Sequence, residues 1–208
     1  MTLEAQIAEG VAAMGVEVPA SAVATFSRYL ELIAKWNRVH NLTAVRETDQ
    51  MVVLHLLDSL SLLPHLGPAR TLLDVGSGPG LPGIPVAIAR PGLAVTLLDS
   101  NHKKCAFLRQ AKTELGLANV EVACERVEHW TTPQRFDVVV SRAFSELADF
   151  VLQARHLVAP AGVLIAMKGV HPFEEIARVP STHKVARVLA LDVPHLEAKR
   201  HLVFVEAA

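Results

Sequence analysis

The chain is poor in cysteine: Cys105 and Cys124 are the only two in 208 residues, and their spacing matches no metal-ligand or redox motif. They read either as a disulfide pair, which a chain of this length does not need, or as buried thiols in a reducing compartment. No apolar run approaches the roughly 20 residues that cross a bilayer, so no membrane span is expected. The opening MTLEAQIAEG is acidic and lacks the basic and apolar regions of a secretory signal. No export signal is therefore expected, and the cytoplasm is the expected location. Neither sign of charge predominates, with 20 Lys+Arg against 21 Asp+Glu and a net charge of -1. That balance excludes a broadly basic, non-specific nucleic-acid binder while permitting a local basic patch. The ten histidines are scattered; His55 and His65 share a predicted helix, but ten positions apart is not ligand spacing, and no metal is expected.

What is present is a globular composition on the apolar side, 51% hydrophobic and 20% charged. The length fits one domain with appendages and can bury about 70% of the unfolded surface. Residues 1–67 read as a helical extension. Leu3 to Met14 is amphipathic and ends at Gly15; Ser21 is placed to cap a helix carrying Phe26, Leu30, Ile33 and Trp36 at spacings of three and four. A turn through Asn41-Leu42-Thr43 leads to Thr48 or Asp49 as the next cap, and that helix runs until Pro64 and Gly67.

From Arg70 the pattern changes. Thr71–Val75, Ala94–Leu98 (ending at Asp99), Val120–Cys124, Phe136–Val140 and Val163–Met167 are short apolar runs. Helical segments alternate with them: Ile84–Arg90, one capped by Asn101 and closed by Gly116, and Phe144–Ala159. This alternation predicts βαβ units, a mostly parallel sheet and helices on both faces over residues 68–208. Lys184–Leu191 and His201–Val205 are further extended segments, expected to form an antiparallel edge pair.

The most informative stretch is Asp74-Val75-Gly76-Ser77-Gly78-Pro79-Gly80, lying between a strand and a helix. Glycine lets the backbone approach a ligand closely and adopt positive φ. The spacing is G-x-G-x-G rather than the G-x-G-x-x-G of dinucleotide folds, and no Lys-Ser/Thr pair follows, so a P-loop is excluded. Asp99 lies 25 positions after Asp74, near the distance at which a strand-end acid grips a ribose. Two acidic strand ends suit a ligand with ribose hydroxyls and a cationic amino-acid tail, which describes S-adenosylmethionine. A tight strand–helix turn without a ligand is the plainer alternative for such a loop.

Beyond the loop, the chain carries Lys35-Trp36-Asn37, Asn41-Leu42-Thr43, His55-Leu56-Leu57-Asp58-Ser59 and Gly78-Pro79-Gly80-Leu81-Pro82-Gly83-Ile84-Pro85. It continues with Leu97-Leu98-Asp99-Ser100, Phe107-Leu108-Arg109-Gln110, Arg126-Val127-Glu128, Ser141-Arg142-Ala143, Lys168-Gly169 and Arg200-His201-Leu202. In this set the chain closely resembles the RsmG (GidB) family of bacterial 16S rRNA guanine-N7 methyltransferases. The resemblance implies a class I S-adenosylmethionine-dependent methyltransferase, a Rossmann-like α/β fold with a seven-stranded, mostly parallel sheet and N-terminal helices. It implies that Gly76 and Leu81 line the cofactor pocket with Asp74, Gly78 and Gly80, that Asp99 binds the ribose, and that Val127 and Glu128 lie beside the adenine. Arg142 would face cofactor or substrate. The partner implied is 16S rRNA within the small ribosomal subunit or an assembly intermediate, met by a monomer.

Guanine N7 already carries a lone pair, so no general base is expected; placement and fixed electrostatics would carry the reaction. Arg142 is the first candidate for positioning at the reacting end, with a structural pairing to Asp58 or Glu128 as its alternative. Lys168, at the same sheet edge, either contacts substrate or is simply solvated. Lys103, Lys104 and Arg109, with Lys112 and extended by Arg126, form either an RNA-facing patch or a solvated helix face. His55 either shapes the pocket or is a satisfied polar residue in the helix–sheet joint. A methyltransferase of the same fold acting on a small molecule or protein, and a non-catalytic ribosome-binding protein, are the competing functions; the glycine spacing disfavours a dehydrogenase.

Overall fold

The computed structural model describes every residue except Ala143 and Ser145, so the last position of the Ser141-Arg142-Ala143 motif lies outside the described residues. Helix α1 (Leu3–Met14) starts where the Thr2 hydroxyl accepts the Ala5 N–H at 3.2 Å and stops at Gly15, left-handed at φ 64°. Helix α2 (Ala22–His40) buries Phe26, Leu30 and Ile33 fully, while Trp36 stays half-buried, edge-on to Phe107. Ser21 holds the cap position of α2 without a side-chain capping bond.

The third predicted helix is one run in three pieces: α3 (Thr48–Met51), a π-helical stretch (Val52–Leu57) and α4 (Asp58–Leu60). Glu47, rather than Thr48 or Asp49, occupies its cap position. π-helical turns are uncommon and concentrate at functional sites; this one carries Leu54 and His55 and leads directly into Asp58.

The sheet comprises β1 (Thr71–Val75), β2 (Ala94–Asp99), β3 (Val120–Cys124), β4 (Phe136–Ser141), β5 (Val158–Lys168), β6 (His183–Leu191) and β7 (Arg200–Ala207), in the order β3-β2-β1-β4-β5-β7-β6. Strands β1 to β5 pair in parallel, and β7 runs antiparallel to both β5 and β6. The expected antiparallel edge pair is present: β6 is the outermost strand, and β7 joins it to β5. The order reverses between β1 and β4, and ligands of open α/β sheets bind at that crevice beyond the strand C-termini.

Strand alternation divides the core. Leu72, Val138, Val140, Ile165, Leu202 and Phe204 join one cluster with α2, the π-helical stretch, α5 (Gly83–Ala89) and α6 (His102–Leu115). Leu73, Val139, Leu164, Val203 and Val205 join the other with Phe150 and Val151 of α7 (Leu147–Ala154). The helices of residues 1–67 thus share a core with one face of the sheet. Helix α7 is shorter than the predicted Phe144–Ala159, because Val158 already pairs with Phe136 as the first residue of β5. Pro160 and Gly162 lie in the register shift that follows, a place where strands tolerate proline. A Cβ on Gly162 would stand 2.7 Å from the Phe136 carbonyl oxygen, so only glycine permits that approach.

Candidate active site

Two cavities open at the C-terminal edge of the sheet, beside the switch point. The first, about 420 Å³, is lined by Val75 and Gly76 after β1, by Leu98, Asp99 and Ser100 at the end of β2, and by Glu125 to Glu128 after β3. Lys104, Phe144 and Gln153 complete its wall. Its volume lies within the range of small-molecule sites. Gly76 sits at φ 70°, and a Cβ there would meet nothing within 4 Å, so bare backbone faces this space. Asp99 is almost fully buried and organises the loop: its Oδ2 accepts the Gly78 N–H and its Oδ1 the Asn101 N–H, both at 2.8 Å. Each oxygen retains a further lone pair. Cys105 donates to the Asp99 carbonyl at 3.1 Å, and both cysteines are free thiols.

Other parts of the loop serve packing. Asp74 lies wholly inside, with Oδ2 accepting the Gly83 N–H at 2.9 Å; its Oδ1 has no hydrogen-bond partner among the described residues. Burial pushes this carboxyl up to about 7, opposed by the Gly83 N–H and the Arg142 charge. Asp74 therefore clasps the start of α5 and does not line the cavity. A Cβ on Gly80 would strike Ile84 Cδ1 at 2.5 Å, and one on Gly83 would meet Leu97 and the Asp74 carboxylate. Leu81 is buried in the helix-side core and lines neither cavity. Tyr29 of α2 donates its hydroxyl to the Pro79 carbonyl at 2.8 Å, fastening the N-terminal helices to the loop.

The second cavity, about 390 Å³, is lined by Val45, Leu54, His55, Asp58, Arg142, Met167, Lys168, Gly169 and Arg200. Asp58, its side chain 4% exposed, holds two guanidiniums: Oδ2 accepts from Arg142 at 3.1 Å and Oδ1 from Arg200 at 2.8 Å. Arg142 also donates to the Leu54 carbonyl inside the π-helical stretch. Lys168 pairs with Glu175 at 2.7 Å and donates to the Phe144 carbonyl at 3.1 Å. Phe144 lines the first cavity, so this bond stitches the wall between the two.

His55 is buried, its Nε2 2.8 Å from the Thr43 hydroxyl, while Nδ1 has no partner among the described residues. Burial, reinforced by Arg142, holds its pKa down to about 4, so the ring is neutral at pH 7. Thr43 is itself placed by Asn37, whose side chain accepts the Thr43 N–H and donates to the Val45 carbonyl, both at 3.0 Å.

The structure brings His55, Arg142 and Lys168 together in the second cavity, and Gly76, Asp99, Val127 and Glu128 in the first. Arg126 and Lys104 line the first cavity, and Arg126 pairs with Glu128 at 3.6 Å. Lys103 and Arg109 are exposed on α6 outside both cavities, and Lys112 is paired with Glu121 at 3.1 Å. Arg142 takes Asp58, not Glu128, as its partner. Asp58, Arg200, Thr43 and Glu175 escaped sequence reasoning as site residues; the first three stand inside motifs quoted above, which was the available signal. Among the described residues, no group of three or more His, Cys, Asp or Glu side chains is placed to hold a metal ion, and no helix is long and apolar enough to cross a membrane.

Comparison with known proteins agrees with this fold. Among solved structures, the O-methyltransferase TomG from Streptomyces achromogenes superposes with TM-score 0.63 at 17% identity, covering 100% of this chain and 99% of that one. The glycopeptide N-methyltransferase MtfA gives TM-score 0.62 at 14% identity, covering 76% and 99%. These likenesses establish the class I S-adenosylmethionine-dependent methyltransferase fold. At the sequence level, ribosomal RNA small subunit methyltransferase G of Chromobacterium violaceum is 55% identical over 204 residues, covering 98% of each chain. That of Nitrosospira multiformis is 55% identical over 210 residues, covering 98% of this chain and 97% of its own. The family model for GidB, rRNA small subunit methyltransferase G, matches residues 22–203, and the chain belongs to that family.

Proposed function

We propose that the protein transfers the methyl group of S-adenosylmethionine to N7 of a guanine in 16S rRNA, acting as a cytoplasmic monomer on the small ribosomal subunit or an assembly intermediate. The observation that carries this reading is the second cavity. Three cationic side chains, Arg142, Lys168 and Arg200, converge there beside a neutral histidine; Asp58, the carboxylate in its lining, is engaged by Arg142 and Arg200, and Lys168 is paired with Glu175. A site with fixed positive charge, whose lining carboxylate is already engaged, suits a nucleophile that needs no deprotonation and arrives on a polyanion. A closed apolar pocket would suit a small substrate better.

The first cavity fits the cofactor. Asp99 has lone pairs left for the ribose hydroxyls, Val127 offers an apolar wall to the adenine beside Glu128, and the bare Gly76 backbone allows close approach. The bound cofactor supplies an electrophilic methyl group. The chain's own task is placement: Asp99 fixes the glycine loop, Asp58 fixes Arg142 and Arg200, and Lys168 ties both cavities to one wall. Arg142, directly after β4 and in the lining of the second cavity, is the positioning residue. A guanidinium donor suits guanine O6 and rejects adenine, which presents an amino group there. Lys103, Lys104, Arg109 and Arg126 would meet phosphates along α6 and the β3 loop, which positions the RNA without reading its sequence.

The test is methyl transfer from labelled S-adenosylmethionine to small subunits lacking N7-methylguanosine, with deproteinised rRNA in parallel and nucleoside analysis of both. Labelled N7-methylguanosine is the expected product. Cofactor binding without transfer to either substrate would refute the assignment and favour a small-molecule or protein acceptor.

A further inference from the structure

Resting on the rRNA reading above, we infer that Phe173 is a stacking platform for an unpaired RNA base adjoining the methylated guanine. The segment Gly169-Val170-His171-Pro172 leads from the C-terminal end of β5 into α8 (Phe173–Ile176). Its two large apolar side chains face water: Val170 is 74% and Phe173 75% exposed. Two of the five large exposed apolar residues among those described thus fall within four positions, at the rim of the second cavity. Clustering of this kind marks a contact surface, whereas single exposed apolar residues are ordinary.

Among the described residues, the ring has one aromatic neighbour. His171 stacks on it with centroids 3.7 Å apart and planes 27° apart. His171 is in turn edge-on to His201 at 5.5 Å, and the His201 Nδ1 is 3.1 Å from the Gly169 carbonyl oxygen. Gly169, and Arg200 immediately before His201, line the cavity, so the bracing ties Phe173 to the substrate cavity. With three quarters of Phe173 exposed, the side chain keeps surface available for a further stack.

The local charges select the kind of contact. Glu175 is taken by Lys168, while Glu146 and Glu174 both lie within ion-pair distance of Arg178, at 3.5 and 3.9 Å. This rim offers no cationic surplus for a phosphate and presents instead a held aromatic face. Single-stranded RNA is recognised by stacking splayed bases on such faces, with little dependence on base identity. The cations that would meet phosphate stand inside the cavity, one step away.

The experiment compares wild type with Phe173→Ala, Phe173→Leu and Phe173→Trp, measuring kcat/KM on undermethylated small subunits at several salt concentrations, together with cofactor affinity and Tm. Ala and Leu should each lower kcat/KM by about fivefold to a hundredfold through KM, the range found when a base loses its aromatic partner. Trp should stay within about twofold of wild type on the same principle. Cofactor affinity and Tm should hold in all variants, because the side chain is exposed. The salt dependence of kcat/KM should keep its slope, since stacking releases no counterions. Wild-type rates in Phe173→Ala, full activity in Phe173→Leu, or a changed salt slope would each overturn the platform while leaving the rRNA reading intact. An inactive wild type would refute that reading and the platform with it.

Discussion

Asp74 carries a measurable consequence of being a buried acid with one idle oxygen. Burial raises its pKa from 3.8 to about 7, so the folded chain holds a proton that the unfolded chain releases above pH 4. A raised acid pKa contributes stability that is complete below the unfolded value and is lost as pH climbs through the folded one. About three units at about 1.4 kcal/mol each bound the effect at about 4 kcal/mol. Roughly 1.5 kcal/mol of this is spent by pH 5, and about 2.5 kcal/mol falls between pH 5 and 8. Asp74→Asn removes the titration. Its amide oxygen can still accept the Gly83 N–H, and its NH2 would sit where Oδ1 lacks a partner, a cost constant with pH. The readout is therefore the slope. Urea unfolding of both proteins at pH 5, 6.5 and 8 should show the variant gaining on wild type by about 2 kcal/mol across that span. The comparison cancels His55, which titrates in both proteins. A gap that stays flat or narrows with rising pH would refute the argument that Asp74 is desolvated and only half satisfied.

His55, held down to about 4 by burial and by Arg142, works in the opposite sense. The unfolded chain takes up a proton below pH 6.5 that the folded chain refuses, so up to about 3 kcal/mol is lost as pH falls from 6.5 to 4; His55→Gln should abolish that loss in acid unfolding titrations. Above pH 6 the ring is already neutral, so the pH profile of methyl transfer should keep its shape in His55→Gln even if the rate falls. Asp58→Ala strips both guanidiniums of their shared carboxylate and should destabilise by about 3 kcal/mol in denaturant unfolding, the low end for breaking a buried pair because both arginines remain about a fifth exposed. The two loop glycines should separate packing from binding. Gly80→Ala drives a Cβ into Ile84 at φ 95° and should cost about 2–3 kcal/mol of stability. Gly76→Ala enters open space at φ 70° and should cost about 1 kcal/mol while lowering cofactor affinity at least tenfold by calorimetry.

Much of the fold was legible because its signals are short-range. The bounds of β1 and β3, the Asn101 cap of α6 and the glycine stops at Gly15 and Gly116 follow from apolar runs, a side-chain oxygen two and three residues from the N–H groups it accepts, and positive φ. Those are properties of neighbouring residues. The misreadings arose where distant contacts overrode local pattern. Val158 left its helix to pair with Phe136, and nothing in the run from Met51 to Leu62 announces a π-helical turn. The site divides the same way. Loop spacing singled out Asp99 and the family resemblance singled out Gly76, and both line the first cavity; Asp74 and Leu81 stand in the same stretch but lie in the interior, because whether a residue faces a cavity depends on what packs over it.

The chain's own order of residues was enough to specify a doubly wound sheet with a glycine loop at its switch point, since strand alternation and turn chemistry act over a few positions. The second cavity had no such local signature. Asp58 meets Arg142 across 84 positions and Arg200 across 142. Those pairs exist only because β7 inserts beside β5 and the π-helical stretch presents Asp58 over the same edge. Local rules can bring each charged side chain to the end of its own element; only the assembled sheet decides which of them share a buried carboxylate.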